Sequence, residues 1–149
     1  MFTIAVCDDD MQERMQEVQI VKNIFSQKEL EAGIEEFQTG QHFLDVLHRV
    51  PYDIVLLDIQ MGEVSGFMLA EELYKITGGE NIIFVSSMEN LVFESIHFRP
   101  FRFVRKSHLE EELTEAVESW IQQNTKTECL EFDETGGVTT ILPQQEIIY

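Results

Sequence analysis

Five times between Phe2 and Ile121 a short apolar run gives way to a longer stretch whose apolar residues recur at helical spacing. Runs that are apolar at consecutive positions suit strands covered on both faces, and such strands belong to parallel sheets whose crossovers are helices. The first run is Phe2 to Cys7; after it Met11, Met15, Val18, Val21 and Phe25 mark one face of a helix, with the methionines read as core. Ile34 to Phe37 is a weak second strand and Gly40 to Val50 a short helix, while Pro51 precedes a strong third strand, Asp53 to Asp58, that ends in an acid. Val64, Phe67, Met68, Ala70, Leu73 and Ile76 line the next helix, which Gly78-Gly79 stops before the strand Ile82 to Val85. Asn90 to Phe98 is a short helix, Phe101 to Val104 the fifth strand, and Leu109, Leu113, Ala116, Val117, Trp120 and Ile121 one face of a last helix. Five βα units joined by right-handed crossovers make an α/β domain, a parallel sheet with helices on both faces.

In such a sheet the reactive groups belong at the carboxyl ends of the strands, beside the crevice where the strand order reverses. Polar residues obey that rule four times: Asp8, Asp9 and Asp10 follow strand one, Asp58 closes strand three, Ser86 and Ser87 close strand four, and Lys106 follows strand five. Clustered carboxylates repel unless a cation joins them, and a pocket of hard oxygen ligands suits Mg²⁺. With a cation and the Lys106 ammonium to neutralise phosphoryl oxygens, Asp58 can act as a nucleophile toward phosphorus. The same residues also have structural uses. Acids at 8 to 10 favour a helix amino end, and Ser86 with Glu89 matches a capping box. An acid closing so apolar a strand as the third, with no helix directly after it to cap, is costly without a partner and points to function.

Length and charge narrow the class further. The 149 residues hold one domain of ordinary size with a short appendage. Asp and Glu outnumber Lys and Arg 28 to 10, a formal charge of −18, which makes these residues a poor partner for nucleic acid or an anionic membrane surface. Cys7 and Cys129 have no metal-ligand spacing, and no apolar run approaches membrane-spanning length, so a reduced, cytoplasmic setting is expected. His42, His48, His97 and His108 likewise lack ligand spacing. Arg99, Arg102 and Arg105 are read as local partners of the surplus acid.

Four segments carry a family resemblance: Ile4-Ala5-Val6-Cys7-Asp8-Asp9-Asp10, Ile54 to Met61 with Gly66, Ile83-Phe84-Val85-Ser86-Ser87, and Phe103-Val104-Arg105-Lys106. In that order, at strand ends, they make residues 1 to 122 resemble the receiver domain of two-component response regulators. The resemblance implies a doubly wound, flavodoxin-like sheet of strand order 2-1-3-4-5, and a phosphoryl group accepted by Asp58 from a sensor histidine kinase. It implies that Asp8, Asp9, the Asp58 carboxylate and the backbone carbonyl of Gln60 hold Mg²⁺, and that Lys106 and Ser86 bind phosphoryl oxygens. Ser86 and Phe103 would form the switch, reshaping the face of helix four, strand five and helix five, through which a homodimer would form. Ser107 stands where the family usually has Pro, and Met61-Gly62-Glu63-Val64-Ser65-Gly66 departs from its usual loop.

After Asn124 the pattern turns to β: Cys129 to Phe132, a Gly136-Gly137 turn, Val138 to Leu142, and Ile147-Ile148-Tyr149. Residues 123–127 read as a linker and 128–149 as a short β extension resembling the opening strands of a LytTR-type DNA-binding domain. Arg99 to Lys106 is likewise similar to receivers of that subfamily. DNA binding is therefore expected only through a part of the output domain beyond these residues. Two other functions remain open on sequence alone. One is a haloacid-dehalogenase-like phosphatase with Asp8 and Asp10 as nucleophile and acid; the other is a docking or dimerisation module that is never phosphorylated.

Overall fold

The computed structural model describes residues 1–134, with backbone alone for 126–134. Its compact units are Met1–Ala116 and the stretch from Val117 onward; the sheet and the site belong to the first. Five parallel strands, β1 (Phe2–Cys7), β2 (Ala32–Phe37), β3 (Ile54–Leu57), β4 (Ile82–Ser86) and β5 (Arg102–Arg105), lie in the order β2-β1-β3-β4-β5. The expected α/β fold and strand order are thus the observed ones. The order reverses between β1 and β3, whose registers pair Ile4 with Ile54 and Cys7 with Leu57. β1, β3 and β4 are buried almost throughout, which is why their sequences are apolar on consecutive residues.

The helices are α1 (Met11–Gln27), α2 (Gly40–Leu44), α3 (Gly66–Thr77), α4 (Val92–Ile96) and α5 (Leu109–Glu134). Short polar side chains start the first three. Asp10 accepts from Glu13 N–H at 3.0 Å, Thr39 from His42 N–H at 3.1 Å and Ser65 from Met68 N–H at 3.3 Å, each satisfying an orphan donor of the first turn. Gly78, at φ 77°, ends α3 in the left-handed conformation that a side chain would resist. On one face of the sheet Leu69, Ala70 and Leu73 of α3 join Phe43, Leu47 and Tyr52 against Leu57, Ile82 and Phe84. Among the described residues no helix is long and apolar enough to cross a membrane.

Several expectations are corrected. Met11 and Met15 are 58% and 59% exposed, whereas Val18, Ile20, Val21, Ile24 and Phe25 are buried, so the buried apolar stripe of α1 begins about two turns later than the methionines suggested. Met68 and Ile76 are likewise exposed, and Leu69 takes the core position in α3. The helix expected over Gly40 to Val50 is regular only to Leu44, and that over Asn90 to Phe98 is a 3₁₀ turn (Glu89–Leu91) followed by α4. Cys129 to Phe132, expected as a strand, lies within α5, which also runs through 123–127. No Gly or Pro interrupts the chain between Leu109 and Glu134, and extending an existing helix costs no new nucleus. The strands expected at 138–142 and 147–149 lie outside the described residues.

Candidate functional site

The carboxyl ends of β1, β3, β4 and β5 bring most of the expected residues to one edge. Asp8 follows β1, with its N–H on Phe37 carbonyl at 3.1 Å, and Asp58 follows β3, with its N–H on Cys7 carbonyl at 2.9 Å. These bonds extend the ladder one residue past the regular strands and aim both side chains beyond the sheet edge. Asp8 is fully buried, Asp58 nearly so, and Asp9 exposed. Carboxylate oxygens of Asp8, Asp9 and Asp58 all lie within 4.8 Å of one another. Three anions at that spacing repel strongly, and hard oxygen donors converging on one point form a fitting set for Mg²⁺.

Among the described residues the Lys106 ammonium answers them. Lys106, in the 3₁₀ turn Lys106–His108 after β5, places its Nζ 2.9 Å from Asp8 Oδ2 and 3.4 Å from Asp58 Oδ2, and it also pairs with Glu13 on α1. Asp8 Oδ2 is close enough for an ion pair but lacks hydrogen-bond alignment with any donor, so its electrostatic partner leaves a lone pair unmatched. Asp8 Oδ1 accepts from Asp10 N–H at 2.9 Å, and Arg14 donates to the Asp8 carbonyl at 2.8 Å. Burial drives Asp58 up to about 7 against the opposing pull of Lys106, with Asp8 and Asp9 adding to the rise. Burial also works against the Lys106 ammonium, but Glu13, Asp8 and Asp58 outweigh it and hold the lysine above its ordinary value.

The remaining expected residues are arranged around this cluster. Ser86 ends β4, fully buried, and its hydroxyl oxygen accepts from Met88 N–H at 3.0 Å. Gln60 is exposed in the loop after β3. Phe103 on β5 is half-buried, its ring centroid 6.4 Å from that of Phe84. It lines a groove of about 380 Å³ together with Val92, Arg102, Arg105, Glu112 and Glu115. There Arg102 pairs with Glu115 at 3.2 Å and Arg105 pairs with Glu112, as expected for arginines among surplus acid. Asp10 spends its side chain as the α1 cap, which removes it as a free acid beside Asp8.

Two residues at the site were not singled out from sequence: Glu13, which shares Lys106, and Glu17, a carboxyl buried on α1. Glu17 had a signal. It precedes the buried Ile20, Val21 and Ile24 by three, four and seven positions, so an acid stands on an apolar stripe.

A family model for the response regulator receiver domain matches residues 4–118. The chain belongs to that family. Among solved structures it is similar to response regulator TrrA of Thermotoga maritima in complex with Mg²⁺ and BeF, at 24% identity and TM-score 0.67, covering 80% of this chain and 99% of that one. It is also similar to the receiver domain of AraT from Geobacillus stearothermophilus, at 17% identity and TM-score 0.70, covering 85% and 98%. With DrrB of Thermotoga maritima, an OmpR/PhoB homologue, identity is 21% and TM-score 0.66, over 83% of this chain and 54% of that one. The chain thus spans about half of DrrB and nearly all of the other two. No curated protein matches the sequence. Membership of the receiver family displaces the phosphatase reading.

Proposed function

We propose that this receiver takes a phosphoryl group from a phosphohistidine of a sensor histidine kinase onto Asp58. The observation that carries the reading is the convergence of Asp8, Asp9 and Asp58 within 4.8 Å of one another, with Lys106 Nζ against Asp8 and Asp58. An Asp58 oxygen attacks phosphorus, the P–N bond breaks as the P–O bond forms, and the imidazole leaves as the neutral base after taking up a proton. The Asp8, Asp9 and Asp58 carboxylates and the Gln60 backbone carbonyl would hold Mg²⁺, whose charge, when bound, offsets that of the phosphoryl oxygens. Lys106, tethered by Asp8 and Glu13, supplies a second positive charge at a fixed place beside Asp58. Ser86 would turn its hydroxyl from Met88 N–H toward a phosphoryl oxygen, and Phe103 would swing inward into the space this opens, a two-state bias set by local charge.

Three further properties belong to the same reading. The domain catalyses its own phosphoryl transfer and its own dephosphorylation, it works in the cytoplasm, and it switches a LytTR-type DNA-binding output that regulates transcription. The domain division in this reading is 1–122 receiver, 123–127 a linker through which α5 continues, and 128–149 the start of the output domain.

Intact mass after treatment with acetyl phosphate, with and without Mg²⁺, tests the core of this reading. The wild type gains one phosphate only with Mg²⁺, Asp58→Asn gains none, and Asp8→Asn gains far less. An adduct that survives Asp58→Asn overturns it, and so does the absence of any adduct on the wild type.

A further inference from the structure

Glu13 does not use its side chain as its place in α1 predicts. Asp10 caps the helix and Glu13 is the third residue after it, where an acid ordinarily turns back to the N–H of the cap residue. That N–H is taken, because Asp10 donates it to Asp8 Oδ1 at 2.9 Å. Glu13 instead reaches across to the ammonium of Lys106, 93 residues away in the chain. Three carboxylates surround Lys106 Nζ, and among the described residues Glu13 alone meets it in hydrogen-bond alignment; Asp8 and Asp58 stand at 2.9 and 3.4 Å as ion pairs. The lysine side chain is 11% exposed, so water is a poor substitute for any of the three.

We propose that Glu13 is a positioning residue for phosphoryl transfer: it holds the Lys106 ammonium off the Asp58 carboxylate, so that an Asp58 oxygen stays free to attack and the charge stands ready for the incoming phosphoryl oxygens. The proposal rests on the phosphoacceptor reading given above and adds a determinant of its rate. With Glu13 gone, the released N–H has two acceptors left. Asp8 already lies at 2.9 Å, with its other oxygen held by Asp10, whereas Asp58 at 3.4 Å leaves a gap to close. Charge-assisted bonds of this kind settle at about 2.7–2.9 Å. A lysine closed onto Asp58 stabilises the anion before the reaction more than it stabilises the transition state, and a nucleophile masked in that way attacks more slowly.

Phosphorylation rates with acetyl phosphate and excess Mg²⁺, read by intact mass on the full chain, test this. In that reaction an Asp58 oxygen forms the new P–O bond as the bond from phosphorus to the acetyl oxygen breaks, and acetate leaves with the electron pair. Glu13→Ala is expected to slow it about tenfold while urea unfolding stays cooperative, and in a Lys106→Met background the same change is expected to have no effect. A purely structural ion pair would lower stability and leave the rate of the folded protein alone. Removing a charge that merely repels the anionic donor would raise the rate. An unchanged or faster rate in Glu13→Ala therefore overturns the proposal, as does equal slowing in the Lys106→Met background. Metal-free crystals of Glu13→Ala give a readout without turnover: Lys106 Nζ is expected to move within about 3 Å of Asp58 Oδ2, and a distance still at 3.4 Å overturns the proposal. A wild type that takes up no phosphate overturns the phosphoacceptor reading itself, a different result, since the place of the lysine is still read from the crystals.

Discussion

Asp58 is pulled in two directions by its surroundings. Burial favours its neutral form, the Lys106 ammonium favours the anion, and burial prevails, leaving the group at about 7. An aspartate in the unfolded chain titrates near about 3.9. Between those values the folded protein holds a proton that the unfolded chain has released, so stability is fully retained below about pH 4, falls as pH rises, and has lost this contribution above about pH 7. In metal-free buffer Asp58→Asn is therefore expected to stabilise the fold by about 1–3 kcal/mol at pH 8 and to change it little at pH 4. Urea melts at the two pH values measure this, and an equal gain at both would refute the titration of Asp58 as its cause. If the cluster holds Mg²⁺ as proposed, the same competition is expected to weaken its binding as pH drops through about 7, since a ligating carboxylate must shed its proton. At this scale the sequence was informative wherever a polar residue broke an apolar run. Asp8, Asp58, Ser86 and Lys106 each close or follow a strand, and the fold brings all four to one edge. Glu13 was illegible because its partner, Lys106, is 93 residues away in the chain, and only the sheet order brings them together.

The elements around the site are held by backbone contacts that leave little room. Gly66 opens α3, and its N–H donates to Ile59 carbonyl at 2.7 Å. A Cβ at Gly66 would lie 2.2 Å from the Asp58 carbonyl oxygen and 2.8 Å from Ile59 Cα, both backbone atoms that can yield only if the loop carrying Asp58 moves. Gly66→Ala is expected to cost about 1–3 kcal/mol, as overpacking does, and to lower the yield of phosphate on Asp58 under conditions where the fold is still fully populated. A destabilised protein with normal phosphate yield would mean that the strain is relieved in α3 instead. Ser65→Ala, which removes only the α3 cap, should cost about 1 kcal/mol and leave the yield unchanged, so the pair distinguishes loop displacement from helix fraying. Strand spans were legible because burial on both faces leaves β1, β3 and β4 apolar. Helix faces were less so. Met11 and Met15 extend the helical spacing of α1, but they lie in its first turns, where side chains clear the sheet edge and stand in water. The β pattern at Cys129 to Phe132 misled for another reason: a four-residue window has no period of its own, and helix arriving from Leu109 continues through it.

For the whole molecule the governing quantity is charge. A chain at −18 repels its own copies, which opposes self-association unless a local surface overcomes it. The face of α4, β5 and the start of α5 has the means. Phe93 and Ile96, three positions apart on α4, are 82% and 59% exposed, and the neighbouring Arg102 and Arg105 pair with Glu115 and Glu112, so two of the acids beside this apolar pair are neutralised locally. Phe103 lines a groove with Val92 of α4, the two arginines, Glu112 and Glu115, so an inward turn of that ring would change the shape of the same face. Beryllofluoride with Mg²⁺, mimicking a phosphoryl group on Asp58, is therefore expected to shift the protein from monomer to dimer in sedimentation velocity, and Phe93→Ser to prevent it. The salt dependence identifies the force. If apolar contact drives association against general repulsion, raising ionic strength through about 0.1 M, where the screening length is about 10 Å, strengthens the dimer; if ion pairs re-formed between copies drive it, salt weakens it. An unchanged mass with and without the mimic would remove this face as a phosphorylation-dependent contact and leave the turn of Phe103 to act on a different partner.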